Sequence, residues 1–97
     1  MAKRDKLSDE AIQAFVSGHE GWSASNGALV KTFGFKHYGA AMGFAVHLGF
    51  AAEKRDHHPE LHVSWGKVRV EWSTHDAGGI TDVDREMAEL TDKLYAS

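Results

Sequence analysis

The sequence predicts an α+β domain: one four-stranded antiparallel sheet with helices packed on one face, in the order α-β-β-α-β-β-α. Three observations carry this. Strand-like segments come in adjacent pairs around turn signals, which favours hairpins over parallel crossovers. The second pair alternates apolar and polar residues, the mark of a sheet covered on one side only. Three further stretches carry helical spacing with recognisable starts and stops.

The first helix is expected over Asp9–Ser17. Ser8 is placed to cap it, Asp9 and Glu10 face the positive end of its dipole, and Leu7 with Ile12 forms a hydrophobic staple. Asn26-Gly27 lies between Trp22-Ser23-Ala24 and Leu29–Phe35, and both of its residues tolerate the positive φ of a tight hairpin turn. The second helix is expected from Tyr38 to Asp56, with no Asp, Glu, Lys or Arg between Tyr38 and Ala52. A helix with no charged face over four turns is expected to be buried on more than one side. Pro59 prevents its continuation.

With Gly66-Lys67 as a two-residue turn, Trp65 faces Val68, Val63 faces Val70 and Leu61 faces Trp72, leaving His62, Ser64, Arg69 and Glu71 on the polar side. After Gly78-Gly79, Thr81 caps a last helix marked by Val83, Met87, Leu90 and Leu94. Trp22, Trp65 and Trp72 are expected in the core, with Trp65 beside the turn. Thr81-x-x-Asp84 has the spacing of a capping box.

Ninety-seven residues, of which 42% are hydrophobic, fit a single domain over 1–97. So small a core makes a homodimer or homotetramer the expected state, and the small residues of Tyr38–Ala52 permit close helix approach. Eleven Lys and Arg against 14 Asp and Glu give a net charge of −3, so the basic footprint of a nucleic-acid binder is absent. With no cysteine there are no disulfides, thiolate nucleophiles or Cys-type zinc sites. Tyr38–Ala52 is too short to span a membrane, and Met1–Glu10 lacks the apolar core of a leader, so a cytoplasmic protein is expected.

Seven histidines are present, and His57-His58-Pro59 and His75 are where chemistry concentrates. Imidazole both gives and takes protons near neutral pH. His57 follows the negative end of the second helix. Pro59 forces His58 into extended backbone, so the two adjacent rings leave in different directions and can line two walls of one pocket. His75, at the end of the fourth strand and before the flexible Asp76–Gly79, can reach the same place. A solvated helix terminus and a polar strand end are the plain alternative.

No metal is expected. His58 and His62 are four apart, but Pro59 breaks the helix that would align them, and no His-Glu-x-x-His motif occurs. His19 and His37 sit at element boundaries, where turn and surface roles dominate; His47 is a polar residue in an apolar helix; Glu53 has the option of pairing along its own helix.

Glu53, His57-His58-Pro59, Trp65 six positions after the proline, His75 ten later and Asp84 nine beyond that resemble the signature of the pterin-4a-carbinolamine dehydratases. Thr74–Thr81, Gly21-Trp22 and Asn26–Phe35 are similar to that family as well. The resemblance implies the α+β fold already read from the elements. It also implies dehydration of 4a-hydroxytetrahydropterin to quinonoid dihydropterin, the recycling step after aromatic amino-acid hydroxylation, with a small-molecule pterin as substrate and no metal or redox cofactor.

Carried over by position, His57, His58 and His75 are the active-site histidines, Pro59, Thr74 and Asp76 shape the pterin pocket, and Asp84 is the distal acid. His57 and His75 are then expected to act as acids, with His58 orienting or deprotonating the ring. Leu61 stands where some members carry tryptophan, so a stacking or rim contact there is expected to be lost. Members of the family also serve as non-enzymatic partners, one in dimerisation of a homeodomain transcription factor and others in assembly of the carbon-fixing carboxylase. An assembly module is therefore the alternative function.

Overall fold

Each element starts or stops where a side chain satisfies backbone groups that regular structure leaves free. In the computed structural model, which describes residues 5–97, the Ser8 hydroxyl accepts the Ala11 N–H (3.1 Å) and opens α1 (Asp9–Gly18). Residues 1–4, part of the stretch expected to lack a leader's apolar core, lie outside the described residues. Asn26 (φ 51°) and Gly27 (φ 77°) make the turn between β1 (Ser23–Ser25) and β2 (Ala28–Gly34); positive φ at both positions is what a type I′ hairpin requires.

His37 caps α2 (Tyr38–Arg55) by accepting the Ala40 N–H on Nδ1 (3.1 Å). The helix closes at Asp56, whose left-handed backbone (φ 57°) is one that aspartate tolerates better than most residues. After β3 (Glu60–Ser64), β4 (Lys67–Trp72) and a short 3-10 turn at His75–Ala77 comes α3 (Asp82–Ala96).

The sheet order is β1-β2-β4-β3, antiparallel throughout. Each hairpin is local, and α2 joins the two by crossing from central β2 to edge strand β3. Leu29, Phe33, Val68, Val70 and Trp72 line one face and are buried against Phe15 of α1, Leu48 of α2 and Met87 of α3. Thr32, His62 and Arg69 lie exposed on the other face. Lys31 shares the inner face, and its ammonium and the Trp22 indole N–H donate to the two oxygens of Asp92 (2.8 and 2.9 Å), tying α3 to the first hairpin. Among the described residues no helix is long and apolar enough to cross a membrane.

Three expectations are corrected. The second turn is Trp65-Gly66 rather than Gly66-Lys67, so Val63 pairs with Val68 and Leu61 with Val70. The second central position has φ 77°, which Gly66 takes without the penalty a lysine would meet. This two-residue shift keeps every apolar side chain on its face except Trp65, which leaves the ladder and stands 73% exposed instead of in the core.

Second, α2 is buried along one side only. Tyr38, Met42, Val46 and Phe50, spaced by four, form an exposed apolar stripe because no other helix of the chain covers them. His47 is exposed too. Third, Asp76–Gly79 is not a loose glycine turn. Thr74 and Gly79 form a β-bridge around the 3-10 turn, and Gly78 (φ 76°) closes it.

His19 also does more than occupy a boundary. Its ring stacks on Phe15 (3.8 Å between centroids), Nδ1 contacts the Phe15 carbonyl (2.8 Å) and Nε2 contacts Glu89 of α3 (2.9 Å). Burial pulls the pKa of this imidazole down, but the Phe15 carbonyl, the Glu89 carboxylate and the charge of Asp92 outweigh it, and the net shift is upward. A raised folded-state pKa makes the pair's stabilisation complete below the unfolded value of about 6.5 and lost as pH rises through the folded value. Urea midpoints from pH 5.5 to 9 should therefore fall more in the native protein than in His19→Gln; equal slopes would show that the pair contributes nothing.

Candidate active site

Helix α2 ends in a geometry that separates two adjacent histidines. The His57 N–H donates to the Ala52 carbonyl (3.1 Å) and the Asp56 N–H to the Glu53 carbonyl (3.1 Å), so the chain turns sharply just before the histidine pair. His57 then points inward with its side chain 15% exposed, while His58 points outward at 57%. Pro59 holds the extended backbone between them and β3 and does not itself line the cavity.

His57 is held from two sides. Its Nε2 donates to Asp84 Oδ1 (2.6 Å), and because a carboxylate only accepts, the ring must carry its proton on Nε2. The same ring stacks nearly parallel to Trp72, 11° between planes and 5.8 Å between centroids. Trp72 is fixed in turn by its indole N–H, which donates to Thr91 Oγ1 (3.0 Å), and the Thr91 hydroxyl donates to the Met87 carbonyl (2.6 Å). The tryptophan expected in the core is there, and it is also the platform under a candidate catalytic ring.

Asp84 is fully buried and its two oxygens have separate tasks. Oδ2 accepts the Thr81 N–H (2.9 Å), which is the capping interaction its spacing predicts, and the Thr74 hydroxyl (2.8 Å). The Thr81 hydroxyl donates to Thr74 Oγ1 (2.9 Å), since the single Thr74 proton is already directed at the carboxylate. Oδ1 is left for His57. A helix cap and a histidine anchor thus coexist in one side chain.

Glu53 does not pair along its helix. Its Oε1 accepts from His58 Nε2 (2.7 Å), so the second histidine also carries a carboxylate on Nε2. His75 differs from both: it begins the 3-10 turn, is exposed, and has no hydrogen-bond partner for its ring among the described residues. His57, His58, Thr74, His75 and Asp76 line one cavity of about 220 Å³, together with Asp56 and Ser73, which sequence reasoning did not single out. Asp84 stands behind this wall. The signal for Asp56 was its place just before His57, where a helix that must stop favours a residue able to adopt positive φ. Ser73 had none beyond adjacency to Thr74.

Chemically, the cavity offers three imidazoles, two of them backed by carboxylates that stabilise a second ring proton by direct contact. Among the described residues no group of three His, Asp or Glu side chains is arranged to hold a metal ion. Replacing Asp84 with alanine strips the acceptor from His57, Thr74 and the Thr81 N–H at once. The expected loss is about 3 kcal/mol in chemical denaturation; a variant as stable as the parent would show that the network contributes little.

Comparison with known proteins agrees with this geometry. The family model described as pterin 4 alpha carbinolamine dehydratase matches residues 5–94. A protein of Natronomonas pharaonis named "Putative pterin-4-alpha-carbinolamine dehydratase" is 42% identical over 90 residues, covering 93% of this chain and 96% of its own. One of the same name from a Bradyrhizobium species is 42% identical over 95 residues, covering 96% of each. The crystal structure of a transcriptional coactivator/pterin dehydratase from Brucella melitensis superposes with a TM-score of 0.88 at 29% identity, covering 94% of this chain and 99% of that one. A pterin dehydratase-like protein described as a RuBisCO assembly factor of the alpha-carboxysome shares the fold, with a TM-score of 0.68 at 22% identity over 81% of this chain and 94% of that one. With its inward and outward histidines converging on the 3-10 turn and this family model matching almost end to end, the chain belongs to the pterin 4 alpha carbinolamine dehydratase family.

Proposed function

We propose that the protein dehydrates 4a-hydroxytetrahydropterin to quinonoid dihydropterin and water, in pterin recycling, within the cytoplasm and with residues 1–97 acting as one domain. The observation that carries the reading is the convergence of His57, His58 and His75 on one cavity, with two of the rings anchored by carboxylates and the third free. In the reaction the C4a–O bond breaks while N5 gives up its proton, forming the C4a=N5 double bond. An acid delivers one proton to the departing hydroxyl and a base takes one from N5, so the enzyme ends the cycle with its protons redistributed and none lost.

The anchored histidines each present Nδ1, since Nε2 is engaged. His57 and His75 are assigned to protonate the leaving hydroxyl from different sides, and His58 to orient the ring or take its proton. Pro59, Thr74 and Asp76 shape the pocket, Thr74 by holding its hydroxyl on Asp84 and Pro59 by fixing the direction of His58. The chemistry requires neither metal nor redox cofactor, and activity is expected to survive exhaustive chelation.

The test is stopped-flow dehydration of 4a-hydroxytetrahydropterin generated in situ. His57→Ala and His75→Ala should each slow the reaction by a factor on the order of 10² to 10⁴, should change the relative rates toward the two 4a stereoisomers, and together should approach the uncatalysed rate. His62→Ala, on the outer face of the sheet, is the histidine control and should retain the native rate. No acceleration by the native protein would transfer the cavity to the second reading, a non-enzymatic assembly module, which the descriptions of the two solved relatives bring into view.

The exposed stripe of Tyr38, Met42, Val46 and Phe50 on α2 supports a homodimer or homotetramer that shares this helical face. Light scattering at micromolar concentration should give a multiple of the chain mass, and Phe50→Glu should shift it toward the monomer. A native protein that scatters as a monomer would remove the proposal.

A further inference from the structure

Beyond His75 the surface continues into a second hollow of about 270 Å³ that the proposed chemistry does not use. Its walls come from two distant parts of the chain: the Asn26-Gly27 turn of the first hairpin, and the Ser73–His75 and Gly78-Gly79 segments that enclose the 3-10 turn. Ser73, Thr74 and His75 line both this hollow and the histidine cavity, so the two meet along one short stretch of backbone.

Four features give the hollow a chemical character. Three of its lining residues are glycines, and a Cβ placed at Gly27 would lie 3.9 Å from the Gly79 Cα, so bare backbone forms a narrow floor. The backbone of Thr74 and Gly79 is occupied with itself: the Thr74 N–H donates to the Gly79 carbonyl (2.9 Å), and the Gly78 N–H donates to the Thr74 carbonyl (3.0 Å). The Thr74 hydroxyl is committed to Asp84. The Asn26 carboxamide and the Ser73 hydroxyl, by contrast, make no hydrogen bond among the described residues. No Asp, Glu, Lys or Arg lines the hollow, nor any large apolar side chain; Lys6 lays its methylene stem against Gly79 but is not part of the lining.

From this placement we propose that the hollow is the subsite for the substituent on the pyrazine ring of the pterin, and that it selects a short chain bearing hydroxyl groups, with Asn26 and Ser73 as the specificity-determining residues. The inference rests on the pterin reading of the histidine cavity and deepens it. A planar ring reacting beside His75 has its substituent directed across that residue. Uncharged donor–acceptor side chains suit hydroxyls, which both give and accept. An alkyl or aryl group finds no apolar wall, and a phosphate or carboxylate finds no cation in the lining.

Two stable 7,8-dihydropterins separate the possibilities, one with a 6-(1,2-dihydroxypropyl) and one with a 6-methyl substituent, each titrated calorimetrically against the native protein, Asn26→Gly and Ser73→Ala. Glycine at position 26 keeps the positive φ of the turn and removes only the carboxamide. The native protein should bind the dihydroxypropyl compound roughly 10-fold more tightly. Each substitution should shrink that ratio about 3- to 10-fold through weaker binding of the hydroxylated ligand, as expected for loss of one neutral hydrogen bond.

A native ratio near one, or parallel changes for both ligands in the variants, would overturn the subsite while leaving the pterin reading intact. So would a 6-substituent ending in phosphate binding as tightly as the diol. Failure of both dihydropterins to bind the native protein, together with no acceleration of dehydration, would instead overturn the pterin reading and the subsite with it.

Discussion

A carboxylate with no solvent contact has to be fully answered by donors, and Asp84 meets that demand with donors from three elements. It takes the first free N–H of α3, a hydroxyl from the segment after β4, and the imidazole that follows α2. Burying an ionised group costs several kcal/mol unless such partners are in place, so the three elements can bring it inside only together. This one requirement explains why the end of the sheet, the start of α3 and the end of α2 meet at a single point. It also explains why His57, alone of the three clustered histidines, is largely shielded from water. The anchor orients the ring and the fold supplies the anchor. Trp72 completes the arrangement by filling the space beneath the ring with a rigid plane whose own polar atom is satisfied by Thr91.

The anchored and free histidines divide the cavity into a fixed half and an adaptable half. His57 and His58 are positioned by charge-assisted contacts of 2.6 and 2.7 Å, the short end of the range for such bonds. His75 rides on a three-residue turn whose own closure is rigid but whose ring is unrestrained. In a proton-transfer site this asymmetry is useful: two groups keep their geometry through the cycle while a third follows the leaving oxygen. Polar residues around the rest of the rim, Asp56, Ser73 and Asp76, keep the mouth hydrated and open to solvent.

Most of the architecture was legible in the sequence because the signals were local. Asn26-Gly27 specifies its hairpin through backbone conformation alone, Ser8 and His37 stand next to the amides they cap, and Asp56 and Pro59 together end α2. The misplaced second turn is instructive for the same reason. Both candidate turns contain Gly66 and keep Val63, Val68 and Val70 on one face, so hydrophobic alternation could not choose between them; the position of the positive φ did, and it expelled Trp65. The histidine cluster was visible as a spacing, but its partners were less so. Asp84 was legible as a cap and only the fold shows its other oxygen reaching His57, while the use of Glu53 by His58 depends on the chain reversing after the helix. The open face of α2 was unreadable in principle, since composition shows that a helix is apolar all round without saying which neighbour covers each side.

The sheet order has a consequence for how the chain reaches this structure. Each hairpin closes over a two-residue turn, an event of microseconds that needs no help from the other. The seam between β2 and β4 is different: Leu29 meets Trp72 and Phe33 meets Val68, contacts that close a loop of some forty residues holding all of α2. Everything that depends on both halves waits for that seam, including the floor under Trp72 and the approach of Gly27 to Gly79. The histidine walls themselves come from the chain after α2, so they can assemble with the second hairpin and α3. Formation of the seam is therefore the expected slow step of folding, in keeping with the general cost of non-local pairing, and the hollow beside His75 is a late product of it.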